Sequence, residues 1–482
     1  MKKDKTLTLV LKGINLIDGL SDKIKNDITI IVQDGIISDI GKESEITVPP
    51  HAQVLDLSGK TIIPGLIDSH LHLSQSGVDD FVKPYAERMN TKLKRNAYIT
   101  LKSGVTTVRN MPGGSTNCVF KFREKVKQGK ILGPRILTSG PALSPSYGYF
   151  SLKRFFPPNP IMIGILSRIF GAHGLSVDVD TQEEAKQMVK KLKKDRVDFI
   201  KTITPGAYIP FIEKEKTLKD ELIKKGFKSE IIEASMKPEV LKTIVEEAHK
   251  EGLKVAVHTI CWPEGVKEAG KAGVDSVEHT PLGLMDDETI ELMKRKNIYW
   301  VPTAYCFYHW SDLIDNPEHY NSEEMKELIP EPFYSVGKKS LDEARAGIKT
   351  GKDPIWSRFY REIEPFKEKY FPTNFAQALD KGIKIVAAVD AGASGASCVP
   401  HGKLHKELEL FVKQGMSEFE AIQTATKNAA ELLGLEKEIG TVEIGKIADL
   451  VALNANPLSD IANIKHISCV IKEGAMVYNQ QD

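Results

Sequence analysis

The sequence has little cysteine, almost no surplus of charge and no long apolar run, and each absence removes a class of protein. Five cysteines (Cys118, Cys261, Cys306, Cys398 and Cys469) are scattered through 482 residues without a C-x-x-C spacing. That odd, wide distribution excludes a disulfide framework and fits free thiols in a reducing compartment. The 66 Lys+Arg against 65 Asp+Glu leave a net charge of +1, so no overall field draws the chain onto nucleic acid. No stretch reaches the roughly 20 apolar residues that span a bilayer. Lys2 and Lys3 lead into alternating, strand-like sequence rather than an apolar signal core, so a cytoplasmic location is expected. The most apolar short segment, Pro160 to Phe170, is too short to span; packing as an insertion over the core is expected, and lying on a membrane surface is the alternative. Internal repeats and low-complexity tracts are also missing.

What is present is ordinary globular composition, 41% hydrophobic and 27% charged, in a chain long enough for two or three domains. The first 60 residues alternate as strands do. Asp27 to Gln33, then Asp34-Gly35, then Ile36-Ile37 predict a hairpin, because Asp-Gly suits the type I′ turn that twisted strands prefer. After Gly65, Val/Ile-rich runs alternate with helical segments, as in parallel βαβ units. Eight strands are predicted: Ile62–Leu73, Val105–Asn110, Arg135–Ser139, Val197–Ile203, Leu253–His258, Val274–His279, Ile298–Thr303 and Ile383–Asp390. Pro238 opens a helix that Gly252 closes, and Ser417 with Glu420 forms a capping box before a helix over Ala421–Leu433. Residues 439–453 and 467–478 return to strand alternation. The connections 140–195, 205–235 and 304–375 are long for barrel loops and read as functional covers or disordered stretches.

His70 and His72 stand two apart in an apolar strand, so their side chains project to one face and can clamp a metal. Apolar strands also end in His258, His279 and Asp390. In a (β/α)8 barrel the C-terminal strand ends meet at one mouth, where the active site lies. Ligand-type residues far apart in sequence would therefore form one cluster. Lys201 lies inside the apolar strand Phe199–Ile203, where a charged ammonium is costly to bury. Desolvation lowers its pKa, and a neutral amine can take up carbon dioxide to give a carbamate, an anionic bridging ligand. The other reading is a lysine whose head reaches the mouth or pairs with a carboxylate.

Pro64-Gly-Leu-Ile-Asp68-Ser-His70-Leu-His72 resembles the signature opening of the amidohydrolase superfamily, and Lys201, His258, His279 and Asp390 match its ligand positions. Gly104 to Arg109, Gly133 to Pro141, Glu278-His279, Val301-Pro302-Thr303, Pro400-His401-Gly402 and Gly440 to Val451 are similar to the branch related to imidazolonepropionases and Xaa-Pro dipeptidases. The resemblance spans the whole chain. It implies an α/β fold, a (β/α)8 TIM-type barrel over 64–436 beside a small β-sandwich built from 1–63 and 437–482. It also implies that His70 and His72 hold one metal, that carboxylated Lys201 bridges to a second held by His258 and His279, and that Asp390 touches the first. Two divalent ions are expected, zinc by default because imidazole and carboxylate suit it. Such a pair lowers the pKa of a shared water and polarises a carbonyl, while Asp390 serves as general base. The expected reaction is hydrolysis of a small amide, of dipeptide or N-acyl amino acid type, by a homo-oligomer.

Some relatives place Tyr or His two residues after the strand-five histidine, where this chain has Ile260, and Val389 stands where Thr is common. Tyr208, Tyr305 or His401 could replace the missing helper from neighbouring loops. Arg109 is a candidate for a substrate carboxylate, or else an internal ion pair. The aromatic run Tyr305 to Trp310 either lines a pocket or anchors the segment that follows, which is itself a lid or an oligomer contact. A mononuclear deaminase or cyclic-amide hydrolase on the same fold is the alternative function, with Glu264 as its candidate acid/base; a non-catalytic scaffold is the third.

Overall fold

The computed structural model describes residues 8–75, 89–113, 116–146, 148, 151, 176–203, 236–259, 263–329, 331, 333–350, 354–392 and 399–480. Tyr208, Ile260, the apolar segment 160–170 and the connection 205–235 lie outside these. No helix among the described residues is long and apolar enough to cross a membrane.

The chain begins with β1 (Thr8–Leu16), β2 (Lys25–Gln33), β3 (Ile36–Lys42), β4 (Gln53–Asp56) and β5 (Thr61–Pro64). Asp34 and Gly35 both have positive φ, 51° and 82°, as the type I′ turn of the predicted hairpin demands. A side chain at Gly35 would also meet the Glu473 carbonyl at 2.6 Å, so the turn is tied to the far end of the chain.

The α/β region follows: β6 (Leu66–Leu71), β7 (Val105–Asn110), β8 (Arg135–Thr138), β9 (Ala142–Ser144), β10 (Ser176–Asp178), β11 (Phe199–Ile203), β12 (Lys254–His258), β13 (Ser276–Glu278) and β14 (Tyr299–Val301). The pairing is parallel, in one sheet ordered β6-β7-β8 and another ordered β10-β9-β11-β12-β13-β14. Helices between the strands carry the predicted ends: Pro238 at the first turn, Gly252 at φ 69°, and the Ser417–Glu420 capping box.

The last predicted strand, Ile383–Asp390, differs. It keeps a period of two, with Ile385, Ala387 and Val389 in the main core and Val386 and Ala388 in a smaller one. Yet it makes only isolated bridges, Trp300 to Ile385 and Leu71 to Ala391. The reason is a wedge. Ile67 N donates to Ala425 O at 2.7 Å and Ala387 N to Thr424 O at 3.0 Å, so a helical turn takes two of the donors that a full ladder between this segment and β6 would use, while Ser69 N, His72 N and Asp390 N still donate across it. The same demand splits the single helix expected at 421–433 into Glu418–Thr424 and Lys427–Leu433. No closed barrel is delineated among the described residues, and the 383–391 segment bonds on one side to Trp300 of β14 and on the other to β6.

The expected long loop 304–375 is mostly helical: Tyr305–Asp315, Glu323–Leu328, Phe333–Thr350 and Pro354–Pro365 lead into Phe371–Lys381. Its aromatic start is an anchor. Phe307 lies against Phe366, with ring centroids 4.6 Å apart, and Phe366 stacks on Phe371. Phe333 is buried under Lys92 and Arg95 from the helix after β6, at 5.4 and 5.2 Å.

Three final strands, β15 (Leu450–Leu453), β16 (Ile467–Lys472) and β17 (Ala475–Asn479), join the first five in one eight-stranded sheet ordered β17-β16-β15-β5-β1-β2-β3, with β4 on β1. Alternation divides its side chains between two cores. Ile62, Leu450, Ala452 and Ile471 enter the sheet's own cluster, whereas Ile63, Val451, Leu453 and Val470 enter the α/β core. The two chain ends therefore meet as expected, in one continuous sheet rather than two delineated layers.

Candidate metal centre

Each of the strand-end residues singled out in the sequence stands at or just beyond the C-terminal end of a parallel strand or of the 383–391 segment. His70 and His72 end β6, His258 ends β12, and His279 follows β13. Asp390 is fixed beside them by its N–H donating to His70 O at 3.0 Å, and His72 N donates to Ala391 O at 2.8 Å. His70, His279 and Asp390 offer ligand atoms that all lie within 4.8 Å of one another. The His258 and His279 rings are 4.5 Å apart, and those of His70 and His279 are 4.6 Å apart. Asp390 Oδ1 lies 3.1 Å from His72 Nε2 and 3.4 Å from His70 Nε2.

Electrostatics prepare these imidazoles for a cation. Burial first, and then the neighbouring Lys201 amine, push His70 and His258 well below the usual histidine range. His279 is lowered too, by burial and by His258. A neutral imidazole offers a lone pair, which is the form a metal binds. The nitrogen that does not ligate is held from behind. His70 Nδ1 lies 2.7 Å from Glu278 Oε2, His72 Nδ1 lies 2.7 Å from the Pro112 carbonyl, and His279 Nδ1 lies 2.8 Å from Thr303 Oγ1. A carbonyl and a carboxylate only accept, so Nδ1 carries the proton in His70 and His72 and Nε2 is free to ligate.

Lys201 is buried to 1% exposure, and its Nζ has no hydrogen-bond partner among the described residues. Burial lowers its pKa to about 8, against the pull of Glu278. Bare lysine does not fit this place well, because an unpartnered buried donor costs about 1–3 kcal/mol. Extended by a carboxylate, it would supply the anion that the four histidines lack.

Arg109 takes the internal role of its two alternatives. It is buried at 3% exposure, and Nη2 donates to Glu278 Oε1 at 2.7 Å, Nη1 to Ser276 Oγ at 3.0 Å and Nε to Ser69 O at 2.6 Å. Glu278 thus joins an arginine to His70, with Ser276 Oγ adding a bond at 2.5 Å. In the sequence Glu278 stands out only as the neighbour of His279. Its signal was available, since Ser276 and Glu278 share the face of β13 opposite Val277. Asp68 and Glu407 are two further buried acids, each pushed up to about 8 chiefly by desolvation. Asp68 accepts from His70 N, and Glu407 accepts from Ala304 N and Tyr305 N.

His401 is buried, with Nε2 3.1 Å from Gln75 O. It packs against Gly392, where a side chain would meet His72 O at 2.6 Å and His401 Nε2 at 2.8 Å. Tyr208, the third candidate for substrate contact, lies outside the described residues.

With this geometry established, likeness to known proteins can be placed on it. Residues 61–477 match the family model described as Amidohydrolase family. Ochratoxinase of Aspergillus niger is 26% identical over 473 residues, covering 94% of this chain and 82% of that protein. Imidazolonepropionase of Clostridium tetani is 24% identical over 508 residues, covering 98% and 93%. Among solved structures, a Xaa-Pro dipeptidase with methionine bound in its active site has a TM-score of 0.70 and 27% identity, covering 98% of this chain and 100% of that one.

Proposed function

This chain belongs to the amidohydrolase family and is a hydrolase of carbon–nitrogen bonds, and on that premise we propose a binuclear metal-dependent enzyme that cleaves a small amide or peptide-like bond. The carrying observation is Lys201, a buried amine whose Nζ has no hydrogen-bond partner among the described residues, beside His70, His258, His279 and Asp390. In this reading His70 and His72 would hold one divalent ion with Asp390, His258 and His279 would hold a second, carboxylated Lys201 would serve both, and zinc would suit the donor set. The two parallel sheets are then arcs of one (β/α)8 barrel over 64–436, closed by the 383–391 segment, with 1–63 and 437–482 as the second domain.

When bound, the ions supply a lowered water pKa and a polarised substrate carbonyl. The protein's own groups do the rest. Asp390 accepts the proton from the attacking water and returns it to the departing amine nitrogen, so one carboxylate serves both halves of the reaction. Glu278 and Arg109 hold His70 in one tautomer and one orientation, and the Pro112 carbonyl does so for His72. Likeness to a Xaa-Pro dipeptidase supports a dipeptide as substrate; we extend the class to N-acyl amino acids and place the enzyme in the cytoplasm as a homo-oligomer. Likeness to imidazolonepropionase supports a second reading, a mononuclear hydrolase of a cyclic amide.

Metal content separates the two. Protein purified in bicarbonate buffer should carry two ions per chain by elemental analysis, and Lys201→Ala should lose both metal and activity, with partial return on adding a short-chain carboxylic acid. Two ions retained in full by Lys201→Ala would refute the bridge, and one ion in the unmodified chain would favour the cyclic-amide reading. A panel of dipeptides, N-acyl amino acids, lactams and aryl amides then identifies the bond cleaved.

A further inference from the structure

Eight non-glycine residues among those described have positive φ. Most have local reasons: Asp34 is in the hairpin turn and Asn297 caps a helix at φ 54°. Three of them, His279, Thr303 and Asp390, at 73°, 47° and 54°, surround the candidate metal centre. Histidine and aspartate enter the left-handed region more readily than most residues, but a β-branched side chain there is a genuine outlier. Thr303 is that outlier, and it is fully buried.

Such a conformation persists only where the surroundings over-determine it, and they do. The two peptides after Thr303 are pinned by one carboxylate, with Ala304 N and Tyr305 N donating to Glu407 at 2.9 and 2.7 Å. The preceding carbonyl, Pro302 O, accepts from Thr280 Oγ1 at 3.1 Å, and Thr303 O accepts from Cys306 Sγ at 3.0 Å. Glu407 comes from the helix Leu404–Lys413, far along the chain. The outcome is a hydroxyl 2.8 Å from His279 Nδ1.

We propose that Thr303 is a positioning residue for metal binding: its hydroxyl oxygen accepts the His279 Nδ1 proton, leaving Nε2 as the one ring nitrogen able to ligate, and the strained backbone is what places that hydroxyl. This rests on the metal-centre reading and extends it to a residue whose own side chain touches no ion. His279 differs from His70 in this respect, since a neutral hydroxyl rather than a carboxylate orients it.

The test measures Zn2+ affinity by competition with a chromogenic chelator in bicarbonate buffer, together with the melting temperature of the metal-free protein. Thr303→Val keeps the branch and loses the acceptor, Thr303→Gly loses the acceptor and relieves the strain, and Thr303→Ser keeps the hydroxyl. Thr303→Val and Thr303→Gly should bind Zn2+ about 10- to 100-fold more weakly, the usual effect of removing a partner behind a ligand, and Thr303→Ser should bind as the unmodified chain does. Metal-free Thr303→Gly should melt above metal-free Thr303→Val, since both leave the His279 Nδ1 proton without its acceptor and only glycine enters the left-handed region freely; equal loss of affinity with unequal stability is what a merely structural role would not produce. Undiminished binding in Thr303→Val and Thr303→Gly would overturn the inference while leaving the metal centre standing. So would an equal loss in Thr303→Ser, or a metal-free Thr303→Gly that melts below Thr303→Val. No Zn2+ on the unmodified chain would overturn the metal-centre reading and this inference together.

Discussion

The sheet built from the two chain ends and the cluster at the strand ends are made under opposite rules. In the sheet, side chains alternate between two apolar cores, the hairpin turn has the residues its backbone needs, and ion pairs such as Lys12 with Glu43 stay at the surface. At the cluster, an amine, an arginine, several acids and three histidines are buried together, and a threonine holds a backbone conformation it disfavours. The first region is organised for stability and the second stores unfavourable terms that other contacts must offset. Violations of local rules concentrate where chemistry is done.

The contrast can be broken at its extreme first. Asp390→Asn keeps the shape of the side chain but cannot take a proton at neutral pH, so kcat should fall by roughly 10²–10⁴, the range for a lost general base, with little change in melting temperature. Turnover near normal would assign the proton to another group. Next, Arg109→Met removes the cation and leaves Glu278 buried without its ion pair, which should destabilise the fold by about 3–5 kcal/mol in denaturant titration. A much smaller change would mean that Ser276 and His70 satisfy Glu278 on their own.

Ile30→Ala tests the other region. The residue is fully buried in the terminal sheet's core, and its loss should cost about 2–5 kcal/mol while kcat of the folded enzyme stays unchanged. A fall in kcat would show that the sheet and the cluster are coupled. The smallest effect belongs to Lys12→Met, at a partly exposed pair on the same sheet, where about 0–1 kcal/mol is expected. Together with Arg109→Met it measures how far burial alone raises the cost of losing one cation.

Much of the site was legible because its signals are local. A period of two puts His70 and His72 on one face, and the strand patterns ending in His258, His279 and Asp390 survive as strand ends whether or not a complete ladder forms. Val105–Asn110 and the hairpin were readable for the same reason, since neighbouring residues alone decide them. Arg109 was not readable beyond its two alternatives. Its partner Glu278 lies 169 positions away, and nothing near Arg109 tells a buried carboxylate from a substrate's. The helical order of the segment after β14 was not readable, because its aromatic residues bury against each other and against the helix after β6, so that order comes from packing rather than from propensity.

What the sequence by itself determined is therefore the set of elements and the ligand-type residues at their ends, because periodicity, capping and turn chemistry act over a few residues. Only the tertiary structure decided how backbone donors were shared and which groups lie behind the ligands. The N–H groups of Ile67 and Ala387 donate to the turn at Thr424–Ala425 rather than across to each other's strands, and Glu407 bends the chain at Thr303 from about a hundred residues away. A hydrogen bond buried away from water must be satisfied by whatever group the fold brings within reach, and that choice is made in space, not along the chain.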